Sequence, residues 1–156
     1  MASDTLIAFD DFKNDLFNGV HDFDADSLFL ALYLSTSNAG TRGTTALKAS
    51  LTNEHAAANG YTTGGQALVS AAVSEPVAGT TMLDHANFAP YDTAAGGSII
   101  ARFGAYWNDT PASPLDPALG SILLDNAPAD ITVTDTNDLN WTVPANGVMR
   151  LSGAET

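Results

Sequence analysis

The feature that most constrains this chain is a change of grammar after Asp26. From there on, short apolar runs alternate with clusters of Gly, Asn, Pro, Thr and Ser. The runs are SLFLALYLS (27–35), QALVSAAV (66–73), SIIARFGAYW (98–107), GSILLD (120–125), ADITVTDT (129–136) and VMRLSG (148–153). Between them lie SNAGTRG, NEHAAANGYTTGG, TAAGG, NDTPASPLDP, DNAPA and PANG, which hold most of the 13 glycines and seven prolines. Runs of this length bounded by turn formers read as strands. Their spacing favours a mainly β fold, an antiparallel β-sandwich or barrel-like domain, over a βαβ design.

Individual runs carry more detail. SLFLALYLS has no charged residue, as expected of a strand buried on both faces. In SIIARFGAYW, Ile99, Ala101, Phe103 and Ala105 alternate with Ile100, Arg102, Gly104 and Tyr106. That predicts one strand with an apolar face on the core and a mixed face where Arg102 pairs with an acid or covers an aromatic. The stretch ITVTDTNDLNWTVPANGVMRL reads as three strands of a meander. Leu30, Leu32, Ile99, Phe103, Leu123, Ile131, Val133 and Trp141 are the expected core. Residues 36–65 are small and polar, with one weak apolar pair, Leu47 and Leu51. A structureless loop of that length is uncommon. Two readings stand: an arm with its own strand near 44–51, or a surface segment ordered by a neighbour.

The first 26 residues differ. In LIAFDDFKNDLFNGV, Leu6, Phe9, Phe12, Leu16 and Val20 recur at three and four, with Phe17 alongside. This is helical periodicity. Ser3 or Asp4 can cap its start, and Asn18-Gly19 can end it. Residues 1–26 form an acidic helical N-terminal segment with seven Asp and one Lys, and residues 27–156 form a single β-rich domain. Phe9, Phe12, Leu16 and Phe17 are candidate assembly anchors, since aromatic and aliphatic groups dominate interfaces. The alternative is that this helix closes one end of its own sandwich.

Composition narrows the function classes. Net charge is −13 with only five Lys and Arg, which are scattered. Phosphate neutralisation needs clustered cations, so nucleic acid is not an expected partner, and an acidic surface also repels membranes. No apolar run approaches the roughly 20 residues that span a bilayer. There is no cysteine, hence no thiol chemistry. MASDTLIAFDDF lacks the basic start of a signal peptide.

Motifs for chemistry are few. His21, His55 and His85 are far apart and read as scattered surface histidines rather than a metal or acid–base set. No GxSxG elbow or GxxxxGK[ST] loop occurs. DFDAD (22–26) and DTNDLN (135–140) space oxygens closely but break the calcium-loop pattern, so they read as Asx-rich turns, with calcium between subunits as the alternative. A Lys–Asn cross-link would need Lys13 or Lys48 buried, and both lie in polar contexts. The chain is therefore expected to be no enzyme and to carry no cofactor or metal.

One order of motifs remains. Tyr33 lies in an early apolar strand. A T-x-E…GYxxGG segment follows, with Thr52, Glu54, Gly60, Tyr61, Gly64 and Gly65. An aromatic-rich strand then holds Ala101, Arg102, Phe103 and Tyr106, and the series closes on Trp141, Gly147, Val148 and Leu151. This succession, over roughly residues 28–152, resembles a family of small tailed-bacteriophage virion structural proteins, head decoration or tail-associated β-proteins. The chain departs from that pattern by a longer insert before Gly60 and by its acidic N-terminus. The resemblance implies a virion component assembled in the host bacterial cytoplasm. In that reading it is first a capsid decoration (cement) protein that stabilises the head shell as a homo-oligomer, a trimer, on the major capsid protein. A tail, neck or fibre-base protein bound to a tail protein is the alternative. A virion carbohydrate-binding domain, stacking sugars on Tyr91, Tyr106, Trp107 and Trp141, is the third reading.

Overall fold

The structure is a computed structural model that describes residues 6–41, 47–87, 91–92, 97–124, 129–134, 137–143, 145 and 147–152. Its strands are β1 (Ile7–Ala8), β2 (Leu28–Tyr33), β3 (Gln66–Ala67), β4 (Val69–Val77), β5 (Thr80–Ala86), β6 (Tyr91–Asp92), β7 (Ile99–Ala101), β8 (Phe103–Asn108), β9 (Ala118–Leu123), β10 (Ile131–Val133), β11 (Asp138–Leu139) and β12 (Met149–Ser152). One helix, α1 (Asp10–Phe17), follows β1. The fold is mainly β and antiparallel, in a sandwich-like arrangement.

The main sheet has five strands in the order β1-β9-β8-β2-β3. Strand β2 lies near its middle, buried on both sides except for Phe29, as its uncharged sequence predicts. Leu30 stands opposite Tyr106, and Leu32 opposite Gly104. Gly104 is there for space: a Cβ would come within 3.0 Å of Leu30 Cδ1, 3.3 Å of Ile122 Cγ1 and 3.4 Å of Trp141 Cη2. The second layer is made of a three-stranded sheet, β12-β5-β4, and two short ladders, β10-β7 and β11-β6. Leu83, Tyr91, Ile99 and Leu139 from these strands, with Val148 just before β12, share one core with Leu30, Leu32 and Leu119 of the main sheet. Of the expected core, Leu30, Leu32, Ile99 and Trp141 are buried; Phe103, Ile131 and Val133 are half-buried and packed against it, and Leu123 is half-buried.

Two apolar runs that read as single strands each serve two sheets. SIIARFGAYW breaks at Arg102: Ile99–Ala101 pair with β10, and Phe103–Asn108 pair with β2 and β9. At the break the Arg102 N–H donates to Tyr33 O, and its carbonyl accepts from Leu124 N. Its guanidinium donates to Ala129 O at 3.0 Å. QALVSAAV breaks likewise: Gln66–Ala67 complete the main sheet beside β2, and Val69 onwards joins β5. The expected meander is also corrected. β10, β11 and β12 do not pair with one another but with β7, β6 and β5, because each finds its ladder on a strand earlier in the chain.

The N-terminal helix is shorter than its periodicity predicts. Ile7 and Ala8 pair with Ser121 and Gly120 of β9, and Phe9 N–H extends that ladder to Leu119 O before the chain turns. The helix start at Phe9 has no side-chain cap; the expected cap residues Ser3 and Asp4 lie outside the described residues. Asn18 and Gly19 end it as expected, with Gly19 at φ +70°. Phe9, Phe12 and Phe23 enter the common core, so a boundary at Asp26 does not divide the packing.

The described residues of this region, 36–41 and 47–65, pack on the chain's own body. They include two 3₁₀ turns, 38–40 and 48–50, the first of which packs on β8 and β9. Asn38 Oδ1 accepts from Thr52 N–H while its amide donates to Ser50 O. Ala39, Leu51, His55 and Tyr61 are buried. Of the strand expected near 44–51, residues 44–46 lie outside the described residues; residues 47–51 form a single bridge, Leu47 to Pro117, and the second 3₁₀ turn in place of a strand.

Candidate functional site

The polar groups of the T-x-E…GYxxGG segment converge on one carboxylate. Glu54 forms an isolated antiparallel bridge to Tyr33, the last residue of β2. Its Oε1 accepts from the Tyr61 hydroxyl at 2.7 Å and from Gly64 N–H at 2.5 Å. Its Oε2 lies 3.4 Å from Lys48 Nζ, with only 17–20% of either side chain exposed. The Lys48 ammonium sits 5.2 Å from the centre of the Trp107 ring, and the Trp107 indole N–H donates to Gly64 O. Trp107 in turn stacks on Phe29 at 4.9 Å. Tyr61 hydroxyl accepts from Leu32 N–H, and its ring lies against His55 and Tyr91.

The two glycines have separate reasons. Gly65 holds φ +84°, and a Cβ there would collide with Leu30 O at 1.8 Å. That close approach lets the following Gln66 pair with β2. Gly64 supplies both an N–H to Glu54 and a carbonyl to Trp107. Chemically the cluster is a fastener. Burial, then the hydrogen bond to Glu54, pushes the Tyr61 phenol far above the usual range, so it stays a proton donor. The Glu54 oxygens are engaged by a hydroxyl, an amide and an ammonium. Sequence reading singled out these residues by their order; that they meet at one acid was legible only in three dimensions.

The expected assembly anchors divide. Phe9 and Phe12 are buried in the chain's own core, the arrangement of a helix that closes its own sandwich. Phe12 packs its ring against His21 and Phe23. Leu16 is half-buried against the core, and Phe17 is 91% exposed. The four aromatics proposed for sugar stacking, Tyr91, Tyr106, Trp107 and Trp141, are all buried and offer no open ring face.

The histidines are not scattered on the surface. His55 and His85 are buried and His21 half-buried, and burial lowers the pKa of all three. Asn108, fully buried at the end of β8, uses its amide to reach His21 Nδ1 at 3.0 Å and Asp26 Oδ2 at 2.6 Å. The Asp22–Asp26 oxygens face the chain's own donors: Asp24 N–H to Asp22, Asp22 N–H to Asp26, and Val73 N–H to Asp24. They are Asx-type turns that tie the N-terminal segment to β4. In the second acidic cluster, residues 135–136 lie outside the described ones; Asn137 N–H closes a turn on Thr134 O. Lys13 is exposed and pairs with Asp10, whereas Lys48 is largely covered, against the expectation of a polar surface setting.

A second buried polar chain joins the two layers. His85 of β5 places Nδ1 2.7 Å from Ala86 O and Nε2 3.3 Å from the Tyr106 hydroxyl of β8. Burial raises the Tyr106 phenol far above its usual range, and the Trp141 indole N–H opposes that rise. Nothing in its sequence setting, TTMLDHA, marked His85; the strand itself went unread.

No group of three or more His, Asp or Glu side chains disposed to hold a metal occurs among the described residues. No helix among them is long and apolar enough to cross a membrane. In comparisons with known proteins, no family model, no curated protein and no solved structure matches this chain.

Proposed function

We propose that the chain is a structural component of a tailed-bacteriophage virion, and within that class a capsid decoration protein seated as a homo-oligomer on the major capsid protein. The reading rests on the order of motifs and on one structural observation, the exposure of the three-stranded sheet. Eight of the nine residues of β4 are exposed, on both faces, and Glu75 is its one charged residue. Val69, Val73, Val77 and Leu151 stand in solvent there. A strand with a single charge and two open faces is suited to lodge against protein. The Glu54 fastener fits the same reading, since its polar groups hold the fold and leave none aimed at a substrate.

The test is binding to purified particles. The protein is mixed with tailed-phage heads and, separately, with tails, and bound copies are counted by quantitative gel or mass spectrometry. Saturation at on the order of hundreds of copies per head, set by the symmetry of the shell, is the expected result. Saturation at tens or fewer, on tails alone, selects the tail or neck protein instead. Failure to bind either overturns the virion assignment.

A further inference from the structure

We propose that Asp24 guards the edge of β4 against strand pairing with a second copy of this chain. β4 ends the order β12-β5-β4, and among the described residues β5 is the one strand it pairs with. An edge strand presents a row of backbone N–H and C=O groups that another strand can take up, and native folds block such rows.

The two ends of β4 are already blunted. Its register on β5 shifts between Val69 and Ala72, and again between Ser74 and Val77. Within the first shift Ser70 takes φ +53°, and within the second Pro76 has no N–H to offer. Regular pairing is left at Ala72, Val73 and Ser74. Bonded and non-bonded positions alternate along an antiparallel ladder, so when the Val73 N–H faces away from β5, those of its two neighbours face toward it. The Val73 N–H does face away: it donates to Asp24 Oδ1 at 2.9 Å. The one outward donor of the regular stretch is therefore occupied by the chain itself.

Asp24 is held in place from the main sheet. Its own N–H donates to Asp22 Oδ1, and the Asp22 N–H donates to Asp26 Oδ2. That last oxygen also accepts, at 2.6 Å, from the amide of Asn108, which is fully buried at the end of β8. Phe23, beside Asp24, is buried in the core. A tethered turn thus carries a carboxylate to the edge of the other layer.

Charge identifies the partner that is kept out. A carboxylate on an edge attracts a basic strand and repels an acidic one, and this chain has a net charge of −13. The β4 sequence is otherwise suited to its own image. In an antiparallel pair centred on Val73, Ala72 meets Ser74 of the second copy and Ala71 meets Glu75, so no like charges of the two strands stand opposite each other. At the centre, each Val73 N–H would donate to the other Val73 carbonyl. With Asp24 in place both donors are taken, and two carboxylates confront each other across the two-fold axis. The homo-oligomer proposed above then has the faces of β4, not its edge, for contact between copies. The guard itself does not depend on the virion reading, since only self-association is at issue.

Sedimentation equilibrium of the full chain at up to roughly 0.5 mM tests it. The unaltered chain should show no association through β4. Asp24→Ala frees the Val73 donor and removes the charge; self-association should become at least roughly tenfold tighter, and the mass should move toward twice that of the monomer. Val73→Lys added to Asp24→Ala places two ammonium groups opposite each other at the axis, and should restore the monomer. Should Asp24→Ala not fold, Asp24→Asn keeps the acceptor and drops the charge; it should associate more than the unaltered chain, and Val73→Lys should again reverse this. An Asp24 variant that folds and stays monomeric, association that survives Val73→Lys, or an unaltered chain whose own association Val73→Lys abolishes would each overturn the guard. None of these results depends on particle binding, which tests the virion reading separately.

Discussion

The main sheet and the three-stranded sheet are made of similar residues and end in opposite conditions. β2, β8 and β9 are buried almost throughout, while β4 is open on both faces and β12 is largely exposed. The difference lies less in hydrophobicity than in what stands on each side. β2 has β8 and β3 as neighbours, residues 47–65 fastened over one part of it, and the core beneath. β4 pairs with β5, and among the described residues its Val73 N–H donates to the Asp24 carboxylate. Three strands need a hydrophobic backing to be stable, and here only the inner part of the small sheet, around Leu83 and His85, has one. Stability should therefore be concentrated in one layer.

The most severe way to break that contrast is to remove residues 1–20. This takes away β1, Phe9 and Phe12, and leaves the β9 edge and part of the core open. The truncated chain should lose cooperative unfolding altogether; a folded product with an unchanged midpoint would show that the segment is an appendage after all. Leu30→Ala should follow, with a loss of about 3–5 kcal/mol in urea unfolding, because the side chain is fully buried where β2 meets the second layer. A loss below about 1 kcal/mol would mean that β2 is not central.

Glu54→Ala strands Lys48, the Tyr61 hydroxyl and Gly64 N–H at once, and should cost about 3 kcal/mol. Glu54→Gln keeps an acceptor and should cost less. Equal losses in the two variants would show that charge, not hydrogen bonding, holds the fastener.

Acid should act through the histidines. His21, His55 and His85 are all lowered by burial from the ordinary 6.5. The unfolded chain then binds protons that the folded chain refuses. Their contribution is complete above pH 6.5 and is lost as pH falls from there toward the folded values. Urea midpoints should decline on going from about pH 7.5 to about pH 5.5, and a flat profile would mean that these rings are solvated. The smallest effect sharpens the comparison from the other side. Val77, 63% exposed on β4, should tolerate alanine within about 0.5 kcal/mol. A larger loss would reveal packing on β4 that a single chain does not supply.

How far the sequence alone could carry follows from which signals are local. Strand content, the burial of SLFLALYLS and the helix end at Asn18-Gly19 were legible, because periodicity, length and turn chemistry are properties of neighbouring residues. So was the order of Thr52, Glu54, Tyr61 and the two glycines, although not its meaning. Tertiary structure alone decided where Arg102 and Leu68 divide continuous apolar runs between two sheets. It also set β10, β11 and β12 on separate earlier strands, and turned Phe9 and Phe12 inward while leaving Phe17 outside. It put His85 against Tyr106 across the layers. In each case the deciding partner lies tens of residues away, and the pairing that wins is the one that buries the most apolar surface while satisfying every backbone group, a sum over the whole chain that no window of sequence contains.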